Sequence, residues 1–460
     1  MKAITVGQIN EIVSGTLAWG DAGQVVTGVS IDSREAGPGC LFVPIIGERV
    51  DAHRFIPDVL DKGAALVFSS DKQVFSDKGA CVYVDDTLSA LQKLAAWYRG
   101  QFEIPVVGIT GSVGKTTTKE MIAAVLEKKY RTVKTIGNRN SQIGLSLMMF
   151  ELEEDTEMAV FEMGISMPGE MERLARMARP TAAVITNIGV SHIGNLGSRE
   201  NICREKGNIV RFFPEDGSLY ACGNGDNKEL VEACVQRRAH FYGTACQNLD
   251  YYAESLTTDE TGQSFVYRHG SIAEHVHLSV MGSHNVDNAT IALALAERFC
   301  VPLEKAKEAL ASYRPIAMRG LVKECAGVHI IDDTYNASPD SIRSNLSALF
   351  AYPGGNKIAV LGDVLELGEQ SEKLHEDIGR FIVAEAEEGR GLSLLVTVGS
   401  EMETVYAYVK EHSEIPARHC EDNGTAVEAV RQKMKKGDWI LVKGSRGMHM
   451  EEVAFGLAKE

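Results

Sequence analysis

Apolar positions along the chain alternate between short runs and longer stretches of helical spacing, the two periods that separate strands from amphipathic helices. In the first hundred residues, positions 25–31, 40–46, 65–69 and 81–84 alternate or run apolar and predict strands. Residues 54–62 and 87–102 show helical spacing, with Leu88, Leu91, Leu94 and Ala95 on one face. Pro105 then opens the strand P-V-V-G-I-T, which makes 103–104 a domain boundary. Strands and helices alternate beyond it: 106–110 into a helix from Lys115, 158–163 into 168–178, and 182–188 into 199–212. That alternation predicts a mostly parallel sheet with helices on both faces.

Near 251–280 the pattern turns to short β segments, followed by a long helix over about 285–299. Pro302 and Pro315 break the chain before a third block, with strands expected at 328–331, 357–361, 394–398 and 439–442. This block reads as an open, doubly wound, Rossmann-like domain. The expected architecture is therefore α/β in three domains: a mixed α/β domain over 1–103, a phosphate-loop ATPase domain with a parallel sheet over 104–316, and the doubly wound domain over 317–460.

At 460 residues the chain is long enough for several cores. Its formal net charge of −16 argues against nucleic acid and anionic membrane as partners, because both are bound through clustered cations. An anionic small substrate would need a pocket where Lys, Arg, helix N-termini or metal ions outweigh that field. The N-terminal segment has no apolar core of a secretory signal, and no apolar run approaches the ~20 residues of a membrane helix. The nine cysteines include no C-x-x-C pair. The twelve-residue spacing of Cys222, Cys234 and Cys246 has no metal-type partner beside it, so reduced thiols in the cytoplasm are expected.

The strongest local signal is Gly108-Ile-Thr-Gly111-Ser112-Val113-Gly114-Lys115-Thr116-Thr117-Thr118, which follows an apolar strand and opens a helix. Glycines let backbone N–H groups wrap phosphate oxygens at a helix N-terminus, Lys115 would reach the β/γ-phosphates, and the Thr116 hydroxyl would ligate Mg²⁺. The strict pattern wants glycine at 109, where this chain has Ile109. A phosphate loop alone does not separate a ligase from a kinase or a nucleotide-gated switch.

Glu162 ends the strand in F-E-M-G, and His192 follows another in T-N-I-G-V-S-H. Strand C-termini of an open α/β sheet converge on the ligand crevice, so both would face the nucleotide. The alternatives are a solvated carboxylate and a loop histidine. Asn285 and Asn288 share one helical face and could meet a purine edge, or Ser283 or Asn285 could simply cap the helix. Asp333 follows a strand where a carboxylate could hold ribose hydroxyls, or it marks a turn. His275 and His277 share a strand face, with no third metal ligand in view. The acidic run at 384–390 reads as a solvated helix end.

Together these residues resemble the Mur ligases of bacterial cell-wall synthesis. The phosphate loop, F-E-M-G, T-N-I-G…H and the G-x-H-N-x-x-N helix match the family's central ATPase domain. Outside it, so do Ser30-Ile-Asp-Ser33-Arg34, Gly47 through Asp51 with His53, Asp333-Thr-Tyr335-Asn336-Ala-Ser-Pro339, Leu361 through Glu369, and Lys443-Gly-Ser445-Arg446-Gly. Within the family the match points to the enzyme that joins D-alanyl-D-alanine to UDP-N-acetylmuramoyl-tripeptide through an acyl phosphate, using ATP and Mg²⁺. The ligase that adds the third amino acid typically carries a D-N-P-R motif, and this chain has no D-N-P.

The resemblance implies that Ser33, Arg34, Gly47, Asp51 and His53 lie near the UDP portion. Lys115 and Thr116 would serve phosphate and metal, and Glu162 and His192 metal. Asn285 and Asn288 would face adenine, Arg319 the γ-phosphate and Asp333 ribose. Asn138, Asn140, Tyr335, Asn336, Lys443, Ser445 and Arg446 would face substrate. Lys206 matches the family's carbamylated lysine, a further metal ligand. Ser141 and Ser146 depart from the usual Asn and Pro of the substrate loop. A cytoplasmic monomer is expected. The rivals are a family ligase with another amine acceptor, a kinase that forms no amide, and a nucleotide-gated switch.

Overall fold

The computed structural model describes residues 1–47, 49–244 and 248–459. Glu48, within the Gly47–Asp51 segment, and Cys246 of the twelve-residue cysteine spacing lie outside the described residues. The other eight cysteines are free thiols.

Three large sheets follow one another along the chain, with a separate two-stranded ladder beside the first. The first has five strands in the order Thr16–Trp19, Ala80–Tyr83, Leu66–Ser69, Cys40–Phe42, Gly28–Ser30, all parallel except the first pair. The single strand expected over 25–31 is in fact two. Val25–Val26 pairs antiparallel with Ile4–Thr5, while Gly28–Ser30 joins the five-stranded sheet. Between them the Thr27 N–H donates to the Gly39 carbonyl at 2.8 Å, redirecting the chain. The strand from Cys40 stops at Phe42 rather than 46, and Pro44 has no N–H with which to extend a ladder.

The central sheet has nine strands. Thr132–Lys134, Met158–Glu162, Val106–Thr110, Ala182–Ile185, Ser218–Cys222 and Ala239–Thr244 run parallel. The segments over 251–280, expected to be short, form the long strands Tyr251–Asp259, Gly262–His269 and Ile272–Leu278, an antiparallel meander extending the same sheet. Alternate inward residues Tyr251, Ala253, Phe265, Tyr267, Val276 and Leu278 join the core beneath the helix Ser283–Arg298, which explains the length. There His277 Nδ1 lies 3.0 Å from Ser264 Oγ.

The third sheet orders Leu321–Cys325, Val328–Asp333, Trp439–Lys443, Lys357–Gly362, Leu394–Val398 and Ala417–Cys420, parallel apart from the first strand. At the acidic run, Glu385 and Glu388 pair with Arg390 just past the helix Ser371–Glu387.

The helix Thr87–Arg99 joins the first sheet to the second. Buried Arg99 donates to the carbonyls of Ala178 (3.0 Å), Phe102 (2.6 Å) and Ile104 (3.2 Å), clamping the connection just before Pro105. One apolar cluster runs from Val6 and Leu41 through Met148 and Leu174 to Leu361 and Leu441, so the three sheets share a continuous core.

Candidate active site

Strand Val106–Thr110 delivers the phosphate loop to helix Lys115–Leu126. That helix starts at Gly114 in the left-handed region (φ 84°) without any side-chain cap, leaving its N-terminus to a ligand. The missing glycine at 109 has a structural reason: Ile109 is a fully buried strand residue in the core, below the loop. The loop is shaped from the neighbouring strand end, where Asn187 accepts from the N–H groups of Ser112 (3.1 Å) and Val113 (2.8 Å). Asn187 was in view in T-N-I-G but had no marker of its role until the two strand ends were adjacent.

Lys115 Nζ donates to the Gly111 carbonyl at 2.8 Å. The Thr116 hydroxyl donates to Glu162 Oε2 at 2.9 Å, and Asn140 Nδ2 donates to Glu162 Oε1 at 2.6 Å. Glu162 is 2% exposed, so the solvated-carboxylate alternative is wrong. Helix capping by Ser283 or Asn285 is also wrong, because the N-cap of helix Ser283–Arg298 is Gly282 with no side-chain bond. Asn285 donates to the Met281 carbonyl, and Asn288 accepts from the Thr118 hydroxyl at 2.8 Å, beside the phosphate loop.

These groups line one cleft of about 660 Å³ between the central and third sheets. Its wall includes Ser112, Val113, Gly114, Lys115, Thr116, Thr117, Asn140, Glu162, His192, Asn285 and Asn288 on one side. Arg319, Asp333, Tyr335, Asn336 and Lys443 face them. The Arg319 guanidinium stacks 3.7 Å from the Tyr335 ring centroid. Asp333 is held by Lys443 and by Asn345 Nδ2 at 2.9 Å, and Lys443 also donates to the Asn336 carbonyl at 2.9 Å.

Several expected site residues lie outside that wall. Ser445 Oγ accepts from the Leu365 N–H at 2.9 Å, Arg446 pairs with Glu451 at 3.1 Å, and Asn138 is exposed. In the first domain Arg34 is bound to Asp32, and the Ser33 carbonyl accepts from Lys62. Gly47 is exposed. Asp51 Oδ1 lies 2.6 Å from His53 Nδ1, and buried His53 accepts at Nε2 from the Ser70 N–H, bracing this loop to the end of strand Leu66–Ser69. The two departures from the family pattern after Asn140 have local roles: Ser141 caps helix Gln142–Met149, and buried Ser146 donates to the Gln142 carbonyl.

Comparison with known proteins follows the same three-part division. Family models match the Mur ligase catalytic domain at residues 25–99, the Mur ligase middle domain at 109–296 and the Mur ligase glutamate ligase domain at 318–446. The UDP-N-acetylmuramoyl-tripeptide–D-alanyl-D-alanine ligase of Bacillus subtilis is 39% identical over 455 residues, 98% of this chain and 97% of that one. The chain belongs to the Mur ligase family. The crystal structure of MurF from Acinetobacter baumannii is similar to this Mur ligase with a TM-score of 0.91 at 30% identity, covering all of both chains. That of MurF from Thermotoga maritima in complex with ADP gives 0.83 at 30% identity, covering 95% of this chain and 98% of that one.

Lys115, Arg314, Arg319 and Lys443 line the cleft of this Mur ligase together with Glu162, Glu170, Asp287 and Asp333, so the chain's net negative charge is balanced there. Burial, with Arg319 adding to it, pulls Lys115 below the usual lysine range against the opposing effect of Glu162. Lys206 is 1% exposed on helix Arg199–Gly207, and burial together with Lys115 pushes its amine well below that range. The surface ion pair expected as the alternative is absent. Among the described residues neither Glu200 nor Glu205 pairs with Lys206, and Glu205 accepts instead from the Met171 N–H at 2.9 Å. Two further cleft residues lie on the G-x-H-N-x-x-N helix, His284 as the motif's histidine and Asp287 without a sequence marker. Burial pushes His284 down to about 4 and Asp287 up to about 7.

Proposed function

We propose that this Mur ligase joins the terminal carboxylate of UDP-N-acetylmuramoyl-tripeptide to the amine of D-alanyl-D-alanine at the cost of ATP, a cytoplasmic step in making the peptidoglycan precursor. Identity to named ligases of this activity over nearly the whole chain supports the substrates. The observation that carries the chemistry is the single cleft in which the phosphate loop of one domain faces Arg319, Asp333 and Lys443 of the next.

A carboxylate does not acylate an amine in water, so it must first acquire a leaving group. Its oxygen attacks the γ-phosphorus, ADP departs, and an acyl phosphate forms. The amine nitrogen then attacks the acyl carbon, phosphate leaves, and the nitrogen loses a proton. Two anions meet in the first step, and this chain supplies the compensating charge. Lys115 and the backbone N–H groups of the phosphate loop hold the phosphates, and Arg319 presents its planar cation to the moving phosphoryl group. Asn285 and Asn288 lie toward the base, and Asp333 toward the ribose. Closure of the third domain over the cleft excludes water from the acyl phosphate.

The donor set at the loop fits Mg²⁺, which keeps water and phosphate ligands and takes few from protein. The Thr116 hydroxyl and the buried Glu162 carboxylate stand 2.9 Å apart, and His192 lines the same cleft. When bound, the ion would neutralise phosphate charge. Lys206 is carbamylated on this reading. A neutral amine is the form that adds carbon dioxide, releasing a proton to become an anionic oxygen donor, and its burial beside Lys115 favours neutrality.

We divide the chain after residues 103 and 316, supported by sheets confined to 4–83, 106–278 and 321–443. The first domain, with Ser33, Arg34, Gly47, Asp51 and His53, takes the UDP portion, and Asn138, Asn140, Tyr335, Asn336, Ser445 and Arg446 face the peptide. The protein acts as a monomer, since the cleft is completed within one chain. Among the described residues no helix is long and apolar enough to cross a membrane. The deciding experiment offers the purified protein ATP, Mg²⁺ and UDP-muramoyl-tripeptide with diaminopimelate or lysine third, with and without D-alanyl-D-alanine, and weighs the products. ADP should accumulate at full rate only when both peptide substrates are present. Equal turnover without the dipeptide would refute the ligase.

A further inference from the structure

His192 and Glu366 meet across the boundary between the central and C-terminal domains. His192 Nδ1 lies 2.7 Å from Glu366 Oε2. Both residues are non-glycine yet hold left-handed backbone, with φ of 60° and 65°, a conformation that persists only where its surroundings impose it. The surroundings here are well defined. Ile193 and Leu196 of the short helix after His192 share a buried apolar cluster with Val364 and Leu367. Gly194 packs so closely under the 366–368 turn that a Cβ there would meet the Glu366 carbonyl at 3.1 Å and the Gly368 nitrogen at 3.2 Å. The turn is fixed to its own domain, with the Val364 N–H donating to His375 Nε2 at 3.2 Å and the Leu365 N–H to Ser445 Oγ at 2.9 Å. Glu366 therefore moves with the C-terminal domain and His192 with the central one.

We propose that Glu366 is a positioning residue: from the C-terminal domain it takes the Nδ1–H of His192, fixes the ring and tautomer, and leaves Nε2 as the nitrogen offered to the cleft. This inference rests on the ligase reading, in which His192 serves the metal. A ligand histidine depends on such an outer partner, and the loss of one typically lowers metal affinity by about 10–100-fold. The other groups that bear on His192 are Lys115 and Lys206: an ammonium at Lys115 accepts no proton, and a carbamate on Lys206 would be committed to the metal, so Glu366 is the acceptor the ring meets from the C-terminal domain. The consequence is a coupling. The His192 nitrogen is set only when the C-terminal domain is docked, so domain closure and completion of the metal site become one event.

Mn²⁺ is titrated by electron paramagnetic resonance into the protein with a non-hydrolysable ATP analogue and the UDP-substrate. Wild type, Glu366→Ala, Glu366→Gln, His192→Ala and the Glu366→Ala/His192→Ala double variant are compared. Glu366→Ala should weaken Mn²⁺ by roughly 10–100-fold. Glu366→Gln, which keeps an acceptor oxygen, should stay within about threefold of wild type, and the double variant should be no weaker than His192→Ala alone. Histidine ¹⁵N shifts of the closed complex should report Nδ1–H in wild type and lose that signature in Glu366→Ala. Gly194→Ala, which leaves both side chains intact but pushes the turn away, should weaken Mn²⁺ in the same direction. Wild-type Mn²⁺ affinity in Glu366→Ala, an unchanged tautomer, or losses that multiply in the double variant would overturn the proposal. If wild type itself binds no Mn²⁺ with the nucleotide, the ligase reading fails with it.

Discussion

Asp287 offers a quantitative test of how the cleft is built. Its Oδ2 accepts from Asn224 Nδ2 at 2.9 Å, while its Oδ1 is buried without a hydrogen-bond partner among the described residues. Burial raises the folded-state pKa to about 7 from 3.8, against the lowering effect of Asn224 and Thr244. For an acid, a raised folded-state value means that the native protein holds the proton more tightly than the unfolded chain. Nothing is lost below pH 3.8, stability falls as pH rises between the two values, and the full penalty stands above pH 7. At ~1.36 kcal/mol per pKa unit the penalty is about 1.7 kcal/mol at pH 5 and about 4 kcal/mol at pH 8. Asp287→Asn removes the titration and adds an amide N–H₂ whose unmet bonds cost about 1–3 kcal/mol at either pH. That cost cancels when the two pH values are compared. The variant should therefore gain roughly 2–3 kcal/mol on wild type between pH 5 and pH 8. Urea unfolding followed by circular dichroism at the two pH values measures it. A change below about 1 kcal/mol would show that Asp287 is ionised in the native protein without penalty, and the account of a desolvated carboxyl in the cleft wall would fall.

Other consequences follow from the same geometry. In Gly111→Ala the new Cβ would lie 1.9 Å from Thr186 Oγ1 and 3.0 Å from its nitrogen, at a φ of 148°. ATP kcat/KM should fall by about 100-fold or more as the phosphate loop shifts, with about 1–3 kcal/mol of stability lost. UDP-substrate affinity, measured calorimetrically, should hold, and an ATP kcat/KM within threefold of wild type would contradict the loop assignment. Lys206→Ala should abolish ligation with an unchanged circular dichroism spectrum, and acetate at high concentration should restore part of the activity. Wild type in ¹³C-bicarbonate should show a carbamate carbon resonance missing from the variant, and near-normal activity in Lys206→Ala would end the carbamate assignment. Small-angle scattering should report a smaller radius of gyration with ATP analogue and UDP-substrate together than without ligands, and equal radii would argue against closure.

The chain's local order determined a good deal by itself. Strand–loop–helix context around Gly111–Thr118 is a matter of neighbours in sequence, so the phosphate loop was legible even with Ile109 in place of a glycine. The alternation of apolar runs likewise announced the parallel central sheet and the doubly wound third one, because a buried parallel strand must be apolar on both faces. The long meander after Tyr251 was legible as β but not in length, since its period emerges only once Phe265 and Val276 have a helix to pack beneath. Burial itself was decided elsewhere. Lys206 on helix Arg199–Gly207 could have been a surface lysine, and only the packing of distant segments around it buries the amine and pushes it well below the usual lysine range. Asn187, Asp287 and Glu366 look like ordinary polar residues because their meaning lies in partners far along the chain: Val113, Asn224 and His192. Sequence specifies which chemistry each strand end carries. Tertiary structure decides which ends converge, and convergence is what desolvates a charge, pairs a ligand and turns separate motifs into one site.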